Sequence, residues 1–191
     1  MAIDKEQLSA HWMPFTSNRQ FKQDPRILVG ADGLYYTDAD GRQIFDGLSG
    51  LWTCGAGHNR KEINDAITKQ LSTLDYSPGF QYGHPLSFEL ANKVVELTPA
   101  GLDKVFFTDS GSETVETALK IARGYWRNLG QPSKTKFIGR HRGYHGVNFG
   151  GLSVGGIARN KNGFATGLPH VHHMRNAYSP DNFFSEGQPE T

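Results

Sequence analysis

Two groups of residues in this chain have the types and spacing for chemistry. The first is Asp109-Ser110-Gly111-Ser112-Glu113, set between the apolar run Val105-Phe106-Phe107 and an amphipathic stretch that reaches Leu129. A helix start presents unpaired N–H groups and the positive end of the helix dipole. Gly111 lets an anion approach the main chain closely, and Ser110 and Ser112 add hydroxyl donors. Together they make a seat for an anion, most naturally a phosphate. The second group is Gly143-Tyr144-His145-Gly146, just after the short apolar segment 135–139. It puts an aromatic ring and a histidine where they can meet the first group.

The surrounding elements must bring the two groups together. The continuous apolar run 105–107 predicts a strand covered on both faces. The helix after the seat is expected to bury Val115, Ala118, Leu119, Ala122, Tyr125, Trp126 and Leu129, at spacings of three and four. Gly130 caps it and Pro132 stops it. With a second strand over 135–139 this is a βαβ unit, normally parallel. Ligands in such sheets sit outside the carboxyl ends of the strands, which is where both groups fall. The expected fold class is α/β, a mainly parallel sheet flanked by helices.

Upstream, residues 1–30 read as a polar, irregular arm whose apolar knot, His11-Trp12-Met13-Pro14-Phe15, must bury against something. Residues 34–37 and 43–46 flank Asp38-Ala39-Asp40-Gly41 as a hairpin. Residues 47–59 mix glycines with Leu51, Trp52 and Cys54; they are either a close-packed glycine corner or a corner beside a pocket that Trp52 lines. Helices are expected over 60–74 and 86–97. Between them, Tyr76, Phe80, Tyr82 and His84 make an aromatic loop, either a buried plug or a binding wall. Downstream, 146–156 is glycine-rich yet open to helix formation, 160–167 reads as a mobile loop, and Val171 and Met174 suit a further strand.

Several chemistries do not fit. The net charge of +1 gives no reason to expect nucleic acid or an anionic membrane as partner. A single cysteine, Cys54, allows no internal disulfide and suits a reducing compartment. Neither a secretory leader nor a membrane span is visible, so a cytoplasmic location is expected. The turn at 109–113 has no lysine for a nucleotide P-loop, and Gly55-Ala56-Gly57 has no third glycine for a dinucleotide fingerprint. His170, His172 and His173 have no carboxylate or cysteine at ligand spacing, so no metal is assigned. No nucleophile elbow precedes a helix. A phosphate seat beside an aromatic ring remains, and a phosphorylated flat cofactor suits it. Pyridoxal 5'-phosphate is the leading candidate.

FFTDSGSETVETALKIAR followed by GRHRGYHG resembles the class III aminotransferases, pyridoxal-phosphate enzymes of fold type I. DGLSGLWTCGAGHNRKEI and the opening HWMPFT resemble the ω-amino acid branch of that family, its β-alanine:pyruvate members most of all. The resemblance covers essentially the whole chain. It implies that Gly111 and Ser112, with Ser110, hold the cofactor phosphate and that Tyr144 stacks on the pyridine ring and borders the substrate pocket. It gives His145 a supporting role, makes Trp52 a lining residue of the substrate pocket, and puts Phe80 in a loop that reaches a neighbouring subunit's site. It implies residues 1–65 as an arm and hairpin belonging to a small domain, and 66–191 as the first part of a large cofactor domain. The implied activity is amino transfer from an ω-amino acid or amine to pyruvate, in a homodimer or higher homo-oligomer. Aminotransferases of the 4-aminobutyrate, diaminopelargonate or ornithine type, and a non-catalytic cofactor-binding module, are the alternatives. Family members run to more than twice this length, and the Schiff-base lysine lies in the part with no counterpart here. The resemblance therefore assigns no catalytic residue to these 191 residues, and the expectation is a fragment inactive by itself.

Overall fold

The computed structural model describes residues 5–164 and 167–175. Its contacts divide the chain into two units, Met1–Phe88 and Glu89–Thr191, which are taken in turn.

In the first unit a three-stranded antiparallel sheet forms from β1 (Leu28–Asp32), β2 (Tyr35–Asp38) and β3 (Gln43–Phe45), in that order. The predicted hairpin is β2–β3, with Tyr36 opposite Ile44. Gly41 takes the left-handed conformation its turn needs, φ 83°. Asp38 closes the same turn. Its carboxylate accepts hydrogen bonds from the Asp40 and Arg42 N–H groups and from the Arg42 guanidinium at 2.7 Å. The bond from the Arg42 backbone does most to hold that carboxyl below its ordinary value, against the opposing effect of burial. The arm before the sheet is not irregular as expected: α1 (Lys5–Ser9) and α2 (Asn18–Gln23) are helical. Asn18 shapes the turn between them by donating to the Met13 and Thr16 carbonyls and accepting from the Met13 N–H. The apolar knot does not bury within the described residues, for Trp12 is 87% and Phe15 84% exposed. After the sheet come a turn at Ser49–Trp52 (α3), the helix α4 (Lys61–Leu71) and the start of α5 (Pro85–Leu97).

In the second unit α6 (Gly111–Asn128) is the long helix. It ends in the predicted glycine cap. Gly130 has φ 73°, Gly130 N–H donates to the Arg127 carbonyl, and Gln131 N–H donates to Trp126. A parallel pair follows, β4 (Phe137–Arg140) with β5 (Val171–Met174), joined through α7 (Phe149–Val154) and α8 (Ala158–Lys161). Three expected elements form here, a strand near 135–139, a helix in the stretch left open to one at 146–156 and a strand at 171–174, but the parallel partner of the first strand is 171–174 and not 105–107.

Three expectations fail. Residues 105–107 form no strand. A strand needs a neighbour to take its N–H and C=O groups, and none of the described residues pairs with this run. Phe106 and Phe107 stay exposed. Nor does α6 bury the expected face. Val115, Leu119, Ala122 and Trp126 are half-buried, while Ala118, Tyr125 and Leu129 are exposed. Periodicity identifies the apolar side of a helix, not what covers it. Among the described residues Val154 is the one buried hydrophobic side chain, on α7 between α6 and the parallel strands. Asn160 and Lys161, expected in a loop, belong to α8. The polar terminal stretch after Arg175 lies outside the described residues.

Candidate functional site

The stretch read as an anion seat forms the mouth of α6. Ser110 is the residue before the first helical turn, and its hydroxyl accepts the Glu113 N–H at 3.2 Å. Glu113 returns toward the same hydroxyl, with Oε2 at 3.3 Å, so the two make a capping pair. Thr108 and Thr114 link their hydroxyls at 2.6 Å across the turn. Among the described residues nothing accepts the N–H groups of Gly111 and Ser112. Apart from its chain neighbours and the backbone of its own helix, no heavy atom lies within 4 Å of where a Cβ on Gly111 would stand. The mouth is therefore open, with two main-chain donors left over.

The predicted ring-bearing segment meets this mouth. Val147 N–H donates to Ser112 Oγ at 3.1 Å. Gly146, at φ 100°, packs so closely that a Cβ there would stand 2.7 Å from Ser112 Cα. One turn further along α6, Glu116 accepts the Gly151 N–H at 2.8 Å and so ties the helix to α7. These three contacts hold Tyr144-His145-Gly146 beside the helix start. Tyr144 is 56% exposed, and with Gly143 and His145 it lines a small cleft that Asn160 and Lys161 also border. Val147 and Glu116 did not stand out in the sequence. Their spacing signal exists only once the loop is folded against the helix.

A phosphate fits what is present. Ser112 Oγ is the acceptor of the Val147 bond, so its own proton stays free to donate outward. The two unmatched N–H groups lie at the positive end of an 18-residue helix. Ser110 sits at the same mouth but spends its hydroxyl on the cap.

Lys161 is half-buried, and burial holds its ammonium below the ordinary lysine value. Its Nζ lies 2.9 Å from His173 Nε2 and 3.3 Å from the Ser153 carbonyl. The same His173 Nε2 lies 2.8 Å from the Gly155 carbonyl, so it either donates there or accepts from Lys161, and the ring stacks with His141 at 5.7 Å. These bonds fasten β5 to the α7–α8 corner.

In the first unit Trp52 and Phe80 are both outward, 81% and 87% exposed. Phe80 and its neighbours Tyr76 and Tyr82 form no buried plug among the described residues. Trp52 ends an unusual turn. Ser49, Gly50, Leu51 and Trp52 have φ values of 49°, 59°, 62° and 70°. Four consecutive residues are thus left-handed, three of them with side chains. The conformation costs roughly 1–2 kcal/mol for each of those three. A polar knot offsets the cost. Asp46 accepts the Gly50 N–H at 2.6 Å, the Leu48 N–H at 3.2 Å and a hydrogen bond with His58 Nε2 at 2.7 Å. The Tyr36 ring lies 4.4 Å from that of His58. The side chains of Asp46 and His58 are only 7% and 11% exposed. Burial alone would raise the Asp46 carboxyl; the hydrogen bonds from His58, Gly50 and Leu48, with the influence of the nearby Tyr36 hydroxyl, outweigh it, so the group is held below its ordinary value. Gly57, at φ 90°, lets the chain return against the Gly33 carbonyl, and Gly33 and His58 exchange backbone hydrogen bonds. The chain thus makes a glycine corner where Gly57 meets Gly33, and Trp52 stands exposed beside it. Asp46 and His58 were missed; the only local signal is the capacity of an aspartate to take the N–H two residues on, as Asp46 takes that of Leu48, and it does not by itself reveal the left-handed turn.

The chain belongs to the class III aminotransferase family, whose model matches residues 16–188. Class III aminotransferases depend on pyridoxal phosphate. The chain is 58% identical over 183 residues to the omega-amino acid–pyruvate aminotransferase of Pseudomonas putida, covering 96% of this chain and 41% of that protein. It is equally identical over 184 residues to the beta-alanine–pyruvate aminotransferase of Pseudomonas aeruginosa, with the same coverage. Among solved structures it superposes on the omega transaminase of Pseudomonas jessenii in complex with PMP. The TM-score is 0.87 at 32% identity, over 92% of this chain and 39% of that one. The chain thus spans about 41% of the length of the curated relatives it matches. Those neighbours carry the fold-type I assignment, with the parallel pair β4–β5 and its helices as the portion present here.

Proposed function

We propose that this chain is the cofactor-phosphate and substrate-lining part of an aminotransferase that moves an amino group from an ω-amino acid or amine, of β-alanine type, to pyruvate. The observation that carries the reading is the bond from Val147 N–H to Ser112, which joins the ring-bearing loop to an open helix mouth. The two relatives at 58% identity support the donor class and the acceptor. An adenosylmethionine-8-amino-7-oxononanoate aminotransferase from Anoxybacillus flavithermus follows at 43% over 76% of the chain, which supports the diaminopelargonate type less well.

In this reading Gly111 and Ser112 hold the phosphate through two N–H groups and a hydroxyl. Ser110 serves mainly by keeping the helix mouth in shape. Tyr144 covers one face of the pyridine ring, and His145 supports that loop. Trp52 and Phe80 line the substrate pocket, Phe80 across a subunit boundary of a homodimer or higher homo-oligomer. When bound, pyridoxal phosphate supplies the electron sink for amino transfer. The residues of this chain orient it and shield it from water. Residues 1–65 act as the arm and hairpin of a small domain, and 66–191 as the first part of a large cofactor domain. No helix among the described residues is long and apolar enough to cross a membrane, and the reading includes a cytoplasmic location.

The test is a chimera in which these 191 residues replace the matching segment of the Pseudomonas putida relative. The expected result is amine-dependent conversion of pyruvate to alanine with β-alanine or a simple amine as donor. A chimera that folds and retains pyridoxal phosphate but transfers from no ω-amino donor would overturn the substrate assignment. One that folds and retains no cofactor would overturn the role of the helix mouth.

A further inference from the structure

We propose that Asp46 and His58 are positioning residues for Trp52: they hold the Ser49–Trp52 turn left-handed and thereby fix where the indole stands. The inference rests on the reading of Trp52 as a lining residue of the substrate pocket, and it names the device that makes it one.

The argument starts from the backbone. A left-handed run through three residues with side chains does not persist by itself. Something must over-determine it, and the observed contacts converge on one carboxylate. Asp46 takes the N–H of Gly50, inside the turn, and of Leu48, just before it. Trp52 N–H then closes on the Leu48 carbonyl at 2.8 Å, and the N–H groups of Thr53 and Cys54 both close on Ser49 at 2.9 and 2.8 Å. His58 fixes the carboxylate from the other side, and is itself pinned through the backbone to Gly33 and against the Tyr36 ring. The chain from the sheet to the indole is therefore β2, His58, Asp46, Gly50, Trp52. Neither Asp46 nor His58 reaches the surface to touch a substrate; the indole does, at 81% exposure. A side chain that exposed has no packing of its own to orient it among the described residues. Its direction is set by its backbone, and its backbone is set by the knot.

A contact made equally before and during the reaction changes KM and leaves kcat. The experiment uses the chimera described above, loaded with pyridoxal phosphate and labelled with 5-fluorotryptophan. The Trp52 signal is identified by its loss in Trp52→Phe. Asp46→Asn and His58→Gln are expected to move or broaden that ¹⁹F resonance while the others stay. KM for the amine donor rises about tenfold, and kcat holds within about twofold. In a Trp52→Ala background the same two substitutions add less than about a twofold change, because the residue they act through is gone. An unmoved resonance in both variants overturns the proposal. So does a rise in KM that persists undiminished without Trp52, and so does a moved resonance with an unchanged KM. If Asp46→Asn fails to fold, His58→Gln decides alone. If the unsubstituted chimera turns over no amine, the functional reading fails separately, and the resonance by itself supports or overturns the positioning of Trp52.

Discussion

The knot at Asp46 and the mouth of α6 use hydrogen bonds in opposite ways. At the knot, donors converge inward on one buried carboxylate, and the product is a strained backbone with an outward indole. At the mouth, Ser110 and Glu113 cap each other, and Gly111 and Ser112 keep donors unmatched among the described residues. The first region uses up its polar groups to hold a side chain in place. The second leaves two of them unmatched among the described residues, where the proposed reading seats the cofactor phosphate.

Substitutions should break this contrast in order of size. Gly146→Ala must fit a methyl 2.7 Å from Ser112 Cα at φ 100°. The backbone alone costs about 1–2 kcal/mol, and the clash adds to it. We expect cofactor retention by the chimera to fall at least about 30-fold, equivalent to about 2 kcal/mol, measured by equilibrium dialysis. Gly50→Ala faces Cys54 Sγ at 3.0 Å at φ 59°. It should destabilise the first unit by about 1–2 kcal/mol, read from the chemical denaturation midpoint, with cofactor affinity unchanged. A matched pair of serines then sharpens the division of labour at the mouth. Ser112→Ala should weaken cofactor retention about fivefold, about 1 kcal/mol. Ser110→Ala should cost about 1 kcal/mol of stability through the lost cap, with a smaller effect on the cofactor.

The smallest effect is a pH dependence. The folded Asp46 carboxyl lies below its ordinary value, so the folded state holds fewer protons there than the unfolded state in the acid range. Its stabilisation is complete above about pH 4, the ordinary aspartate value, and is lost as pH falls through the folded value. Acid denaturation followed by circular dichroism should show a shallower limb below pH 4 in Asp46→Asn than in the unsubstituted protein. Identical limbs would remove the knot's charge from the account.

Much of the second region was legible because its signals are local. A small-residue turn before a periodic helix, glycine at its end and a short strand after it are all set within a few residues of sequence, and all three formed. The run 105–107 failed because a strand is a property of a pair, and its apolar residues say nothing of a partner. The side of α6 was legible and its burial was not, for the same reason. The left-handed turn at Ser49–Trp52 was hidden because only Gly50 among its four residues favours that conformation by itself. Its cause lies at Tyr36 and His58, which come near Asp46 only after the sheet has formed. The arm's two short helices were masked by Pro14 and Pro25, which bound the α2 segment without interrupting it.

The glycines around the end of β4 have a consequence for anyone recoding this chain. A methyl on Gly139 would run into the Val154 carbonyl, on Gly151 into that of His145, and on Gly156 into that of Arg140. Main chain lies on main chain there, with no side chain between to trim in compensation. In a saturation library those three letters are fixed punctuation, and a design that treats them as spacer will read as a failed fold rather than an altered enzyme. The letters that can change without breaking the fold are the exposed ones, Trp52, Phe80 and Tyr144, and a change there is read in the proposed activity instead.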